Sequence, residues 1–146
     1  RTAALRLQKS TWLALYSVME FASAPERHIP ATEIATKYGV SAHHLAKVLS
    51  ALARAGIVES VRGAGGGYRF SGNARRLTLM DVIVLFEDFA PTPARAPLPG
   101  ERTPVGRALG LVLSEVDANA KATFSSITLA TMLRLVDHTA PPARAR

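Results

Sequence analysis

The feature that most constrains this chain is the short link Gly39-Val40-Ser41 between two segments with helical apolar spacing. Before it, residues near Thr32 to Tyr38 turn Ile34, Ala35 and Tyr38 to one side, and Gly39 stands where a left-handed residue ends a helix. After it, Ser41 is a good N-cap, Leu45, Val48, Leu49 and Leu52 repeat at helical intervals, and Gly56 closes the segment. Two helices joined by a three-residue turn predict a helix-turn-helix. Apolar and polar residues then alternate over Ile57 to Val61 and over Tyr68 to Phe70, with a glycine-rich stretch between, which predicts a β-hairpin and hence a wing.

The remaining segments are helical or aperiodic. A first helix is expected over Lys9 to Ala24, with Trp12, Leu15, Tyr16, Met19 and Ala22 along one face and Pro25 ending it. Thr78 caps a fourth helix with Asp81 three residues on, and Leu79, Val82, Ile83 and Phe86 lie on its buried side. Residues 90 to 104 hold five prolines and no periodicity, and read as an extended or mobile loop. A long fifth helix runs from about Val105 to Phe124 with Leu109, Val112, Leu113, Val116 and Ala120 in one stripe. A short last helix begins at Thr128 with Leu129, Met132, Leu133 and Val136 inward, before a tail over 139–146 expected to be disordered. The fold class is therefore mainly α, a winged helix-turn-helix with a two-stranded β wing and a long C-terminal helix.

Composition narrows the function classes. The chain of 146 residues is 48% hydrophobic, enough for one core with an appendage, and has no cysteine. Disulfides, thiolate zinc sites, cysteine-ligated iron-sulfur clusters and thiol switches are thereby excluded from these residues. No apolar run suggests a signal peptide or a membrane span, so a cytoplasmic protein is expected. The net charge of +7 favours a polyanionic partner.

That charge is concentrated. Residues 41 to 76 carry Lys47, Arg54, Arg62, Arg69, Arg75 and Arg76 against the single acid Glu59, on the two elements a winged helix presents to DNA. With its core face assigned, the third helix directs His43, His44, Ala46, Lys47, Ser50, Ala51 and Arg54 outward or sideways. Such a small, polar, basic face fits a major groove, although an ordinary solvated face has the same composition. The turn Arg62-Gly63-Ala64-Gly65-Gly66-Gly67 leaves a thin backbone able to approach phosphate, with Arg62 placed to probe a minor groove. It lacks the Lys-Ser/Thr ending of a mononucleotide loop, and Tyr68 stands where a dinucleotide fingerprint needs its third glycine. A plain flexible hairpin is the surviving alternative.

Catalysis has little support. His28, His43, His44 and His138 show no metal-ligand spacing, no G-x-S-x-G elbow is present, and Glu87 and Asp88 read as the end of a helix. Neither an enzyme nor a cofactor is expected.

Taken together, Glu33-Ile34-Ala35, Leu45-Ala46-Lys47-Val48-Leu49, Leu52-Ala53-Arg54-Ala55-Gly56-Ile57-Val58 and Ser60-Val61-Arg62-Gly63-Ala64-Gly65-Gly66-Gly67-Tyr68 closely resemble the Rrf-two family of bacterial winged helix-turn-helix regulators. Leu79-Met80-Asp81-Val82-Ile83 and Ile127-Thr128-Leu129 extend the resemblance over nearly the whole chain, residues 90 to 104 excepted.

The resemblance implies a homodimer whose long fifth helices cross through Leu109, Val112, Leu113, Val116 and Ala120, binding double-stranded DNA at a palindromic operator, most simply as a repressor. It divides the chain into a DNA-binding domain over 1–89, a proline-rich loop over 90–104, dimerisation helices over 105–138 and the tail. Ser41, His43, Ala46 and Lys47 match the recognition-helix positions that contact DNA in the family, and Arg62 its wing arginine. Ser41, His44, Ser50, Arg54, Gly63, Gly65, Gly66, Arg69 and Arg75 complete the expected DNA surface, several of them on phosphate.

The chain departs from the family where many members hold an iron-sulfur cluster. The loop between helices four and five has no cysteine, and Trp12 occupies the position from which some relatives supply an acidic ligand. A cluster-free branch is implied, regulated by an unidentified small-molecule effector, a partner or protein level. Trp12, Tyr16, Phe86, Phe89 and Phe124 either wall an effector pocket or, the commoner case, fill the core and dimer seam. An alternative function is a winged-helix protein-interaction adaptor, which would call for apolar anchors that the outward face of the third helix lacks.

Overall fold

In a computed structural model, residues 7–63, 67–89 and 96–141 are described. Their elements are α1 (Lys9–Ser23), α2 (Ala31–Tyr38), α3 (Ala42–Arg54), β1 (Val58–Val61), β2 (Gly67–Phe70), α4 (Leu79–Ile83), α5 (Pro104–Ser126) and α6 (Leu129–Thr139). The expected winged helix-turn-helix is present, and the two strands form one antiparallel pair running from Val58↔Phe70 at the base to Val61↔Gly67 near the tip. Gly65, Gly66, residues 90–95 and the end of the tail lie outside the described residues.

Both ends of the helix-turn-helix close by one device. Gly39 has φ +63° after α2, and the Val40 amide donates back to the Ala35 carbonyl at 3.0 Å. Gly56 has φ +77° after α3, and the Ile57 amide donates to the Leu52 carbonyl at 3.1 Å. Left-handed backbone costs a residue with a Cβ about 1–2 kcal/mol, which is why glycine stands at both stops. The core lies between α1, α2, α3 and α4, with Phe21, Ile34, Leu45, Leu49, Leu52, Val82 and Ile83 at 0–1% exposure.

The buried face of α1 differs from the expected stripe. Thr11, Leu13, Ala14, Ser17, Val18, Phe21 and Ala22 point inward, whereas Trp12 and Tyr16 are 49% and 42% exposed. α1 packs against α3, α4, α6 and β2. Ala14 and Ser17 permit that close approach, and the buried hydroxyls of Thr11 and Ser17 donate to Glu87 and to the Leu13 carbonyl.

The chain after α5 returns to the core. Leu129 is fully buried, and the starts of α4 and α6 are joined by Leu79 N–H to Ile127 (2.9 Å) and Leu129 N–H to Leu77 (2.8 Å). Met132 and Leu133 are half-buried against that core, but Val136, expected inward, is 48% exposed. α6 runs to Thr139, one residue into the expected tail. Part of the expected loose loop is tied down: the Leu98 amide donates to Glu101, Glu101 N–H to the Leu98 carbonyl, and Thr103 caps α5 through Gly106 N–H.

Candidate nucleic-acid interface

The recognition-helix candidates are set out by the burial of α3. Leu45, Val48, Leu49 and Leu52 are at most 2% exposed, so His43, Lys47, Ser50 and Arg54, at i, i+4, i+7 and i+11, share the opposite face. With Ala46 they line an open concavity of about 450 Å³. Ala46 adds no bulk at the edge of this surface.

The other candidates fall into different environments. Ser41 is the N-cap of α3, its hydroxyl accepting from the His44 amide at 3.3 Å. His44 is half-buried and leans away from the outward stripe, with Nε2 3.3 Å from Ser10 Oγ of α1. Arg62 and Gly63 are exposed just past β1, and Gly63 has φ +110°, a conformation that suits a residue without a Cβ. Arg69, on the exposed side of β2, is paired with Glu59 across the hairpin. Arg75 lies on the turn beyond the base of the wing, at the opposite end from Arg62, where its amide donates to Asn73 Oδ1 at 3.0 Å.

The wing is clamped to the body. Ile29, between α1 and α2, and Tyr68 exchange both backbone hydrogen bonds, at 2.8 and 3.0 Å, extending the hairpin by an isolated third bridge. No sequence periodicity marks Ile29 for this pairing. Glu87, read in the sequence only as the end of a helix, is 8% exposed. Its partner is the uncapped start of α1, and the only sequence signal would have been the lack of a cap residue at Gln8.

The five aromatics lie in two settings. Tyr16 stacks on Tyr38 of α2, with centroids 4.9 Å apart and planes at 3°, and Trp12 lies 5.9 Å from Tyr16 on that exposed side. Phe86, Phe89 and Phe124 are half-buried against the core instead.

The dimer candidates are uncovered in the single chain. Leu109 and Val112 are each 59% exposed, Leu113 49% and Val116 36%, while Ala120 is half-buried. No residue of the 23-residue α5 is buried, over a helix about 34 Å long.

Residues 7–135 match the family model Rrf2, described as an iron-dependent transcriptional regulator. Iron held as a cluster does not fit these donors: the chain has no thiolate to offer, and the indole of Trp12 is no ligand. Among the described residues no group of three or more His, Asp or Glu is placed to hold a metal ion. No helix among the described residues is long and apolar enough to cross a membrane.

The HTH-type transcriptional regulator BadM of Rhodopseudomonas palustris is 47% identical over 133 residues, covering 91% of this chain and 84% of that protein. Among solved structures, T. potens IscR superposes with TM-score 0.74 at 23% identity, over 94% of this chain and 93% of its own. CymR of B. subtilis, a global cysteine regulator, gives 0.67 at 26% identity, over 89% and 97%. A profile match over most of the chain, a relative at nearly half identity and the superposable winged fold agree, and the chain belongs to the Rrf2 family of transcriptional regulators, which are not enzymes.

Proposed function

We propose that this regulator is a homodimer that reads a palindromic operator with α3 and the wing, and represses by occupying a promoter. The observation that carries the reading is the single outward stripe of His43, Lys47, Ser50 and Arg54 around the small Ala46, with Arg62 exposed on the adjoining wing. Lys47 and His43 can donate to base acceptors in a major groove, and Arg62 suits the negative potential of a narrow minor groove. Ser41, Arg54 and Arg75 serve as phosphate contacts, which set register without reading sequence. Arg69 joins them when phosphate displaces Glu59, since an exposed ion pair is worth at most about 1 kcal/mol.

The dimer forms through α5, whose Leu109, Val112, Leu113 and Val116 leave an apolar stripe that water does not favour. Two-fold symmetry then sets half-site centres one helical turn apart, about 34–36 Å. With no cluster to report iron or redox state, the signal comes from a small effector, a protein partner or the amount of regulator. The test is selection of bound sequences from a random duplex pool, followed by titration of the winner and a scrambled duplex at two salt concentrations. A palindromic winner bound about a thousandfold tighter supports the reading. Equal, steeply salt-dependent binding to both duplexes means that the basic surface gives only non-specific attraction, or that an effector is needed to make the dimer specific.

A further inference from the structure

The first turn of α1 is gripped from two sides by groups distant in sequence. Gln8, at its N-cap, makes no side-chain cap, and the turn has no acid. Its free amides therefore need an outside acceptor. Glu87, on the turn that follows α4, supplies it. Oε1 accepts from the Gln8 amide at 2.5 Å and the Thr11 hydroxyl at 2.7 Å, and Oε2 from the Gln8 side-chain amide at 3.4 Å. These donors and the positive end of the helix dipole offset the cost of burying a carboxylate.

On the other side of the same turn, Ser10 Oγ meets Nε2 of His44 at 3.3 Å. His44 stands on α3 between His43 and Lys47, the foremost of the outward residues. Two residues past Glu87, Phe89 packs against the core and lies beneath Lys121 of α5, whose Nζ is 5.0 Å from the ring centroid. One turn of α1 thus stands between the junction leading to α5 and the recognition helix.

We infer that Glu87 is a positioning residue for DNA reading: through the first turn of α1 and the Ser10–His44 contact, it sets where α3 lies and links the α4–α5 junction to the DNA face. This inference rests on the reading of α3 as the DNA-contacting helix. A buried, hydrogen-bonded charge suits the role because leaving its geometry would strand it without partners. An apolar side chain at the same place would tolerate sliding. A shift of Glu87 therefore carries the α1 turn with it, and Ser10 carries the shift to His44.

The test uses the whole chain and the duplex that the unmodified protein selects from a random pool. The readout is the ratio of affinities for that duplex and a scrambled one, with thermal unfolding measured in parallel. Glu87→Gln and Ser10→Ala should each lower the ratio on the order of threefold to thirtyfold, leaving affinity for the scrambled duplex unchanged. The double variant should fall no further than Glu87→Gln alone. Lower thermal stability with an unchanged ratio, or losses that add, would overturn the inference. Should Glu87→Gln not fold, Ser10→Ala decides alone, because it removes one hydroxyl at a half-buried site and an unchanged ratio again overturns the link. Lys47→Ala separates the two readings: if it lowers the ratio and the α1 variants do not, the link alone fails, and if none does, the DNA reading fails with it.

Discussion

Gly67→Ala tests how firmly the wing depends on its clamp. A Cβ at Gly67 would sit 2.5 Å from the Ile29 carbonyl oxygen, 2.7 Å from its carbon and 2.8 Å from the Pro30 nitrogen. All three are backbone atoms, so no side chain can swing aside, and the strand must move away from the α1–α2 link. Moving it breaks the reciprocal bonds between Ile29 and Tyr68, at 2.8 and 3.0 Å. At about 0.5–1.5 kcal/mol net for each, the loss is about 2 kcal/mol. For a chain of this size that lowers Tm by about 4–8 °C. Circular dichroism melts give the stability, and titration with the selected duplex shows whether the displaced wing withdraws Arg62. An unchanged Tm would mean that the clamp is not what holds the hairpin, and unchanged operator affinity would mean that wing position does not matter to binding.

Three further outcomes are expected. Leu113→Glu places a charge on the stripe of α5 where the side chain is 49% exposed, so the protomer should stay folded while sedimentation shows half the mass; an intact dimer refutes the seam. Arg62→Ala should cost about 1–3 kcal/mol of operator binding, whereas Arg75→Ala should weaken all duplexes alike and flatten the salt dependence, both read by titration across salt. Burial pushes the Glu20 carboxyl up, but hydrogen bonds from Lys37 and Tyr38 and the charges of Lys37 and Arg27 outweigh it and hold the group below its ordinary 4.5. A depressed carboxyl stabilises the fold above that ordinary value and loses the contribution as pH falls through the folded one, so Glu20→Gln should flatten the acid limb of Tm against pH; an unchanged limb refutes it.

The helix-turn-helix was legible because its signals are local. Gly39 and Gly56 stop helices through their own backbone, Ser41 and Thr78 cap helices one turn ahead, and four leucine and valine positions mark the inner side of α3. The outward stripe of His43, Lys47, Ser50 and Arg54 follows by exclusion. The α1 face was not legible, because that helix carries apolar residues most of the way round and only its neighbours choose among them. Ala14 and Ser17 lie inward for their small size, while the larger Trp12 and Tyr16 remain outside.

The candidate surface divides along the same line. Which residues are basic, and that they cluster between 41 and 76, is a property of the chain alone. That His44 turns back to Ser10, that Arg69 is met by Glu59 and that Arg75 sits beyond the base of the wing are decided by packing and pairing in three dimensions.

Sequence by itself determined the order of the elements, the stops between them, the absence of thiol ligands and the apolar stripe on α5, since each depends on residue type and near-neighbour spacing. Tertiary structure alone decided that Glu87 caps a helix 79 residues earlier and that Ile29 joins the wing. Those contacts depend on chain closure over long separations, which leaves no local period to read, and on burial, which makes an unsatisfied carboxylate or amide costly enough to select its partner.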